Sequence, residues 1–328
     1  MNLAKLRLLL DNFFTEKKIV ASLIILGFVV YANSLFNPFV GDDDSQIVSN
    51  PLVHSITNIP KLLFGEVYNI GPANNLNVNY YKPLLPVTFA IIYSIFGESS
   101  FFFHLFQVTL HIANTIILFL IFRRIFARNL SIFLSLIFLV HPINSETVIY
   151  ISALQDVMFL FLGLLAFYLY TFKRISVKKI VAINLLLFVS LLSKETGFLF
   201  FVILVIYGYL FRNKNFWKHT PYFLATFIVY LFMRFASTGI RIDQLKEAPI
   251  MYEPFISRII NLPSIFFFYI KTFFFPNNLI TLQNWVIREV NFSSFFLPLI
   301  IVSVFILLVV ALGIFLYQKS RQNIKYFI

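Results

Sequence analysis

Long apolar runs separated by short polar segments dominate the chain. A membrane-spanning helix needs about 17–25 mostly apolar residues, and nine runs reach or approach that length. They are residues 19–34, 101–122, 125–140, 157–172, 180–192, 197–211, 222–235, 259–275 and 295–317. A further run, Leu84–Phe96, is short enough to be a re-entrant or membrane-surface helix. The pattern predicts an all-α polytopic membrane bundle of eight to ten crossings, with the first run as an uncleaved anchor.

The charges between these runs predict an orientation. Five clusters, at 5–18, 123–128, 173–179, 212–218 and 319–325, hold 17 of the 26 Lys and Arg residues. Because Lys and Arg accumulate on the cytoplasmic side, we predict cytoplasmic segments at 1–18 and 318–328 around a membrane-embedded domain at 19–317. Residues 37–83 then form a long outer loop, which we call the first outer loop. The membrane is predicted to be a bacterial inner membrane or the endoplasmic reticulum.

Composition narrows the class of protein. The chain is 59% hydrophobic and only 12% charged, whereas soluble domains carry about a quarter charged residues. A water-soluble enzyme is therefore excluded, and the absence of cysteine excludes disulfide frameworks and thiolate chemistry. The formal net charge of +12 follows from the cytoplasmic clusters, so we predict no nucleic-acid partner.

The most conspicuous polar group is a run of three acids, Asp42-Asp43-Asp44, directly after the first span. Charged residues at a membrane are costly and often functional. Adjacent carboxylates repel one another, which makes one of them a better proton acceptor and suits a general base. The same run also fits a solvated loop or helix cap, or a calcium site. Charge alone leaves these alternatives open.

A second polar group surrounds the break between two predicted spans. His141, Glu146 and Asp156 fall at the outer ends of these spans. Histidine and carboxylates are metal ligands, but the close His-x-x-x-His spacing is missing here. Pro142 ends a helix, and the neighbouring polar side chains can satisfy its exposed backbone groups. The spacing therefore favours a structural role over a metal site.

Basic residues on the same predicted side are candidate phosphate ligands. Lys82 enters the short apolar run, where a contact with a lipid phosphate is credible. Lys194 and Glu195 either pair with each other at the interface or bind and orient a phosphate. Arg234 and Arg241 flank another outer loop, where they bind phosphate or extend toward the membrane surface.

Read in order, these motifs resemble those of the transmembrane and tetratricopeptide-repeat O-mannosyltransferases. The resemblance covers about residues 30–200. It rests on Phe39-Val40-x-Asp42-Asp43 through Asn50-Pro51, Tyr81-Lys82-Pro83-Leu84, Phe103-His104-Leu105 with His111, His141-Pro142-x-x-Ser145-Glu146, Asp156, and Leu192-Ser193-Lys194-Glu195. The set is also similar, more distantly, to GT-C glycosyltransferases that use polyprenyl-phosphate sugars.

The resemblance implies a fold, an activity and a site. It implies a GT-C membrane domain that moves mannose or another hexose from a polyprenyl-phosphate donor to a hydroxyl of a protein, glycan or lipid acceptor on the extracytoplasmic or lumenal face. By matched position, Asp42 and Asp43 are the catalytic acids and Lys82 contacts the phosphate. No cofactor is required, and dependence on a divalent metal is left open. The candidates for weaker phosphate contacts are Lys194, Arg234 and Arg241, and those for supporting roles are His141, Glu146, Asp156 and Glu195.

The chain also departs from this family's pattern. Asn144 stands where the family usually has His, and the tetratricopeptide repeats have no counterpart, so the resemblance implies a short member or a fragment. The alternative functions are a transporter or flippase and a non-catalytic membrane scaffold. A transporter more often shows paired repeats and helices broken at mid-membrane. A scaffold gives no reason for acids and lysines to gather on one side.

Overall fold

Every regular element that the structure describes is helical. The computed structural model describes residues 15–64, 81–212, 216–238, 249–277, 279–280 and 286–322. Its helices are α1 (Glu16–Tyr31), α2 (Ile59–Phe64), α3 (Leu84–Phe96), α4 (Ser100–Ile125), α5 (Arg128–Val140), α6 (Ser145–Ile149), α7 (Leu154–Tyr170), α8 (Val177–Ser193), α9 (Phe198–Arg212), α10 (Phe216–Thr238), α11 (Phe255–Phe274) and α12 (Leu297–Gln322). They form two compact units, residues 1–244 and 245–328. The predicted all-α helix bundle is confirmed.

Fewer helices than predicted meet the length and apolarity needed to cross a membrane. In the described ranges five do so on their own, and α5 with residues 142–149 gives a sixth, bent by 45°. The predicted eight to ten crossings exceed this count. The shortfall comes from chain breaks inside the polar segments: α8 ends at Ser193, and α9, which begins at Phe198, is 15 residues long.

The polar and basic segments lie at opposite ends of the first unit. At one end, Arg123 of α4 pairs with Glu16 of α1 at 3.4 Å, and Arg124 donates to the Thr171 hydroxyl at 2.7 Å. At the other end, the Ser100 hydroxyl donates to the Asn37 carbonyl at 2.9 Å. We call these the basic end and the acidic end. The side of the membrane on which each end lies stays a prediction from the charge pattern.

Helix α3 begins and ends at the acidic end. Just before it, the Tyr81 hydroxyl donates to the Leu63 carbonyl at 3.3 Å, and just after it Ser100 bonds Asn37. With 13 residues, α3 extends about 20 Å at 1.5 Å per residue, less than a bilayer core. It is therefore too short to cross a membrane. This agrees with the prediction of a re-entrant or surface helix.

A buried apolar cluster joins α3 to the first outer loop, and we call it the loop cluster. Its buried members come from the loop, α3, α4 and the α7 region; they are Ile47, Val53, Leu62, Leu85, Val87, Phe89, Ala90, Ile92, Phe103, Ile151, Leu154 and Met158. Burying such side chains removes apolar area from polar surroundings and excludes voids. The cluster thus holds the loop against the helices at the acidic end.

Close helix packing at Gly163 gives a stability prediction. A Cβ atom at this position of α7 would overlap the ring of Phe200 on α9, and Phe200 is only 5% exposed. We expect Gly163→Ala to lower the free energy of unfolding by about 1–3 kcal/mol through overpacking. Thermal unfolding of the purified protein measures it. Gly313→Ala, where a Cβ meets no atom within 4 Å, is the matched control, and equal midpoints for both variants would contradict the packing.

The second unit contains two helices that run in the same direction. The side chain of Asn261 on α11 accepts from the Ile287 N–H at 2.7 Å and donates to its carbonyl at 3.0 Å. Further along both segments, the Phe274 and Phe305 rings lie 6.2 Å apart. Residue Ile287, before α12 begins, therefore lies beside the first half of α11.

Candidate active site at the acidic end

Asp43 is a buried anchor of the acidic turn, which we define as residues 40–44. Its side chain is 0% exposed. One carboxylate oxygen, Oδ1, accepts from the Ser152 N–H at 2.8 Å and from the Ser152 hydroxyl at 2.5 Å, and Oδ2 accepts from the Val40 N–H at 3.0 Å. Charge-assisted hydrogen bonds of this kind are among the strong ones. They fix the turn against the junction between α6 and α7.

Asp42, one residue earlier, is exposed. Its backbone N–H donates to the Tyr150 hydroxyl at 2.9 Å. Gly41 has a positive φ of 57°, a region that favours glycine, and a Cβ there would lie 3.1 Å from the same hydroxyl. Burial, with the nearby Asp42 and Asp43 charges, raises the pKa of Tyr150, so its hydroxyl stays protonated near neutral pH. The turn thus holds the Asp42 backbone while its side chain faces outward.

A side chain from α4 satisfies backbone carbonyls at the break between α5 and α7. Gln107 donates to the carbonyls of Thr147 and Tyr150 at 2.5 and 2.8 Å. Buried carbonyls released by a helix break need such partners in an apolar environment. His141 accepts from the Ile143 N–H at 3.2 Å and so caps the turn that follows α5. This geometry agrees with the structural alternative for His141.

Two ion pairs connect four helices at the same end. Lys194 pairs with Asp156 of α7 at 2.5 Å, while Arg234 of α10 pairs with Glu195 at 2.6 Å. The alternative that Lys194 and Glu195 pair with each other is wrong, because extended backbone at Lys194 directs the two side chains to different helices. Glu146 is exposed, within electrostatic range of Asp156 and Lys194. All four paired side chains are about a quarter to two fifths exposed.

Lys82 lies just before α3, and its sequence neighbours contact residues near both the acidic turn and the ion pairs. It is partly exposed, and Leu85, three residues later, shares the loop cluster with Ile47, five residues after Asp42. The preceding Tyr81 is buried, with its ring 6.3 Å from that of Tyr230. Tyr230 accepts a hydrogen bond from Arg234 at 3.3 Å. The fold therefore brings together the polar segments 40–44, 82, 146–156, 194–195 and 230–234, whereas Arg241 falls outside the described residues.

The calcium alternative finds no ligand set in the described ranges. No group of three or more His, Asp or Glu side chains there is arranged to hold a metal ion. Asp43 accepts from two backbone N–H groups and one hydroxyl, and Asp44 accepts from the Ser49 hydroxyl at 3.1 Å. The three adjacent acids therefore lie in three different environments and do not converge on one point.

Sequence reasoning missed several residues that shape this site. Ser152 and Tyr150 hold the acidic turn, and Gln107 and Tyr230 support the segments around it. A serine in an apolar stretch or a tyrosine at an interface carries no distinctive signal. Gln107 did carry such a signal, since a polar amide inside an apolar span needs a buried hydrogen-bond partner.

Fold and site together define a polytopic membrane protein with a polar site at one end of its helix bundle. Residues 82–237 match the sequence model of a family described as dolichyl-phosphate-mannose-protein mannosyltransferase. The human protein O-mannosyl-transferase TMTC1 is 34% identical over 43% of this chain and 16% of its own length. The mouse protein O-mannosyl-transferase TMTC3 is 28% identical over 57% of this chain and 20% of its own length. A protein O-mannosyl-transferase of Caenorhabditis elegans is 27% identical over 53% of this chain and 26% of its own length.

These similarities confirm the resemblance drawn from the ordered motifs. Over residues 82–237 the chain is similar to the dolichyl-phosphate-mannose-protein mannosyltransferase family, and its curated relatives are named protein O-mannosyl-transferases. The matched part spans about a sixth to a quarter of the length of these relatives. No solved structure matches the chain.

Proposed function

We propose that this protein transfers mannose or a related hexose from a polyprenyl-phosphate donor to an acceptor hydroxyl at the acidic end of the bundle. The observation that carries the proposal is a difference between two acids of the acidic turn. Asp43 is buried and hydrogen-bonded to Ser152, whereas Asp42 is held by its backbone bond to Tyr150 and has an exposed side chain. The similar proteins are named protein O-mannosyl-transferases, which makes a protein hydroxyl the proposed acceptor. The proposed side is extracytoplasmic or lumenal, because the basic clusters gather at the other end.

In the proposed reaction Asp42 is the general base. Its carboxylate takes the proton of the acceptor hydroxyl, and the oxygen then forms a bond to the anomeric carbon of the sugar. The bond from that carbon to the phosphate oxygen breaks, and the lipid phosphate leaves with the electron pair. Lys82 stabilises the charge that develops on this phosphate. A lipid-linked donor reaches the site from the membrane, so the chemistry needs no nucleotide-binding fold.

The ion pairs give Lys194 and Arg234 a secondary part in this proposal. Each cation already has a carboxylate within 2.6 Å, and a phosphate would have to compete with that carboxylate. Lys82 stands in the Tyr81-Lys82-Pro83-Leu84 motif on which the resemblance rests. On that ground we assign the main phosphate contact to Lys82. Asp156 and Glu195 position the two other cations.

Lys82→Ala tests the donor assignment. We expect it to weaken binding of polyprenyl-phosphate-mannose about tenfold or more, since a charge-assisted contact to phosphate is lost, with little change in the thermal midpoint. Equilibrium binding to purified protein in nanodiscs measures the loss. Lys61→Ala, at an exposed lysine of the same loop, is the matched control. Equal donor affinity for Lys82→Ala and wild type would remove Lys82 from the phosphate site.

A further inference from the structure

The floor beneath the acidic turn is formed by the start of α4. Phe103 and His104 lie three and four residues after Ser100, so both are neighbours of Ser100 on the helix surface. Ser100 bonds the Asn37 carbonyl, and the Phe103 ring lies 5.5 Å from that of Phe39. The segment 37–43 therefore lies over His104, and the electrostatic neighbours of this side chain are the Asp43 carboxylate and the Asn37 backbone.

His104 is buried, with the Asn37 backbone nearby but no hydrogen bond of normal length to its ring. It is 1% exposed, and neither ring nitrogen has a hydrogen-bond partner among the residues that the structure describes. A buried polar group without a partner is costly and is uncommon in folded proteins. A side chain that served only to fill this apolar floor would be better replaced by an apolar one.

His111, seven residues further along α4, shows what a purely structural histidine is like. It is 2% exposed, its Nε2 is 3.2 Å from the Leu139 carbonyl, and its ring packs against Tyr31 and Phe138 at 5.4 and 5.0 Å. Both histidines are buried on the same helix, yet only His111 is satisfied. The difference lies in what each faces: His111 faces a helix end, and His104 faces the acidic turn.

The Asp43 carboxylate has room for one more donor. A carboxylate offers about four acceptor positions, and Asp43 uses three of them, for the Ser152 N–H, the Ser152 hydroxyl and the Val40 N–H. On the α4 side of the acidic turn, a ring N–H of His104 can donate to this fourth position. Such a bond would connect α4 to the turn that carries Asp42.

We propose that His104 is a positioning residue for the acidic turn. In the donor-loaded protein a ring nitrogen of His104 donates to the Asp43 carboxylate and fixes the conformation in which Asp42 meets the acceptor hydroxyl. His104 acts through Asp43 and touches neither substrate. The inference rests on the proposed function for its kinetic part, while the conformation of the turn can be measured without any transfer reaction.

The cysteine-free chain provides a direct readout of the turn. Asp44→Cys places a thiol beside the turn, and Thr57→Cys, exposed elsewhere in the same loop, is the reference. Each is combined with His104→Phe, His104→Gln or His111→Phe, and the rate of labelling by a thiol reagent is measured with and without polyprenyl-phosphate-mannose. We expect His104→Phe to raise labelling at position 44 several-fold relative to position 57 in the presence of donor. His104→Gln, which keeps an N–H donor, should return the labelling rate at position 44 to that of the wild type, and His111→Phe should leave that rate unchanged.

Transfer kinetics provide the second readout. We expect His104→Phe to lower kcat about tenfold or more, as for a loss of positioning, with the KM for the donor unchanged, and His104→Gln to recover most of the rate. Wild-type labelling and kcat in His104→Phe would overturn the inference, as would equal changes in His111→Phe. If His104→Phe does not fold, His104→Gln and the shorter His104→Asn carry the same comparison. Labelling that depends on His104 in a protein without transferase activity would reject the proposed function and keep the positioning role.

Discussion

Replacing Asp42 by Asn is expected to lower the rate of sugar transfer by about 10²–10⁴-fold, the usual cost of losing a general base. The amide keeps the shape of the side chain and leaves the backbone N–H bond to Tyr150 in place. Because the carboxylate is exposed, the thermal midpoint and donor affinity should hardly change. Single-turnover transfer from polyprenyl-phosphate-mannose to a hydroxyl-containing peptide measures the effect.

The matched control is Asp44→Asn. Asp44 is also exposed and also acidic, but its described contact is the Ser49 hydroxyl, and it lies outside the motif shared with the family. Its replacement should have a mild effect on transfer. Near-normal turnover by Asp42→Asn would refute the role of Asp42 as the base. A much larger loss of transfer in Asp44→Asn than in Asp42→Asn would show that our proposal names the wrong residue as the base.

Asp43→Asn is expected to lose transfer activity for a different reason, because it destabilises the acidic turn. Both oxygens of Asp43 accept hydrogen bonds in a fully buried site, whereas an amide has one acceptor oxygen and a donor nitrogen. The nitrogen would face an N–H group, which costs about 1–3 kcal/mol for the unsatisfied pair. We therefore expect a lower thermal midpoint together with lost transfer.

A double-mutant cycle with Ser152→Ala checks this interpretation. Ser152→Ala removes one of the three donors to Asp43 and should destabilise the protein less than Asp43→Asn. Because the residues are in contact, the two effects should not add. An Asp43→Asn protein with wild-type stability and no activity would instead place Asp43 in the reaction.

The sequence groups the polar segments at one end of the bundle but does not predict the contacts among them. Apolar runs and basic clusters correctly separated the two ends of the first unit, because hydropathy and charge act on whole segments. The separation of Asp42 from Asp43 was not predictable in this way. Adjacent residues have the same composition and charge, and only the packing of Ser152 and Tyr150 against the turn makes one buried and the other exposed.

Fewer helices in the described ranges meet the length and apolarity of a span than the predicted eight to ten, for a related reason. Hydropathy marks apolar runs but does not show where a helix stops, and the polar segments around Pro142 and Lys194 end helices early. Those same breaks carry Glu146, Asp156 and Glu195. The pairing of Lys194 with Asp156, and of Glu195 with Arg234, depends on the backbone turn at the break, which local sequence does not specify.

The balance of charge around the ion pairs has a consequence for how a donor arrives. Lys194 and Arg234 are matched by Asp156 and Glu195, and Glu146 adds a further negative charge nearby. An approaching phosphate therefore meets no long-range attraction from this group, and dissolved salt has little field to screen. For the proposed polyprenyl-phosphate donor, capture then depends on its concentration within the bilayer, where the polyprenyl tail holds it at the depth of the site. In this proposal the lipid delivers the sugar, and the site recognises the donor only at contact.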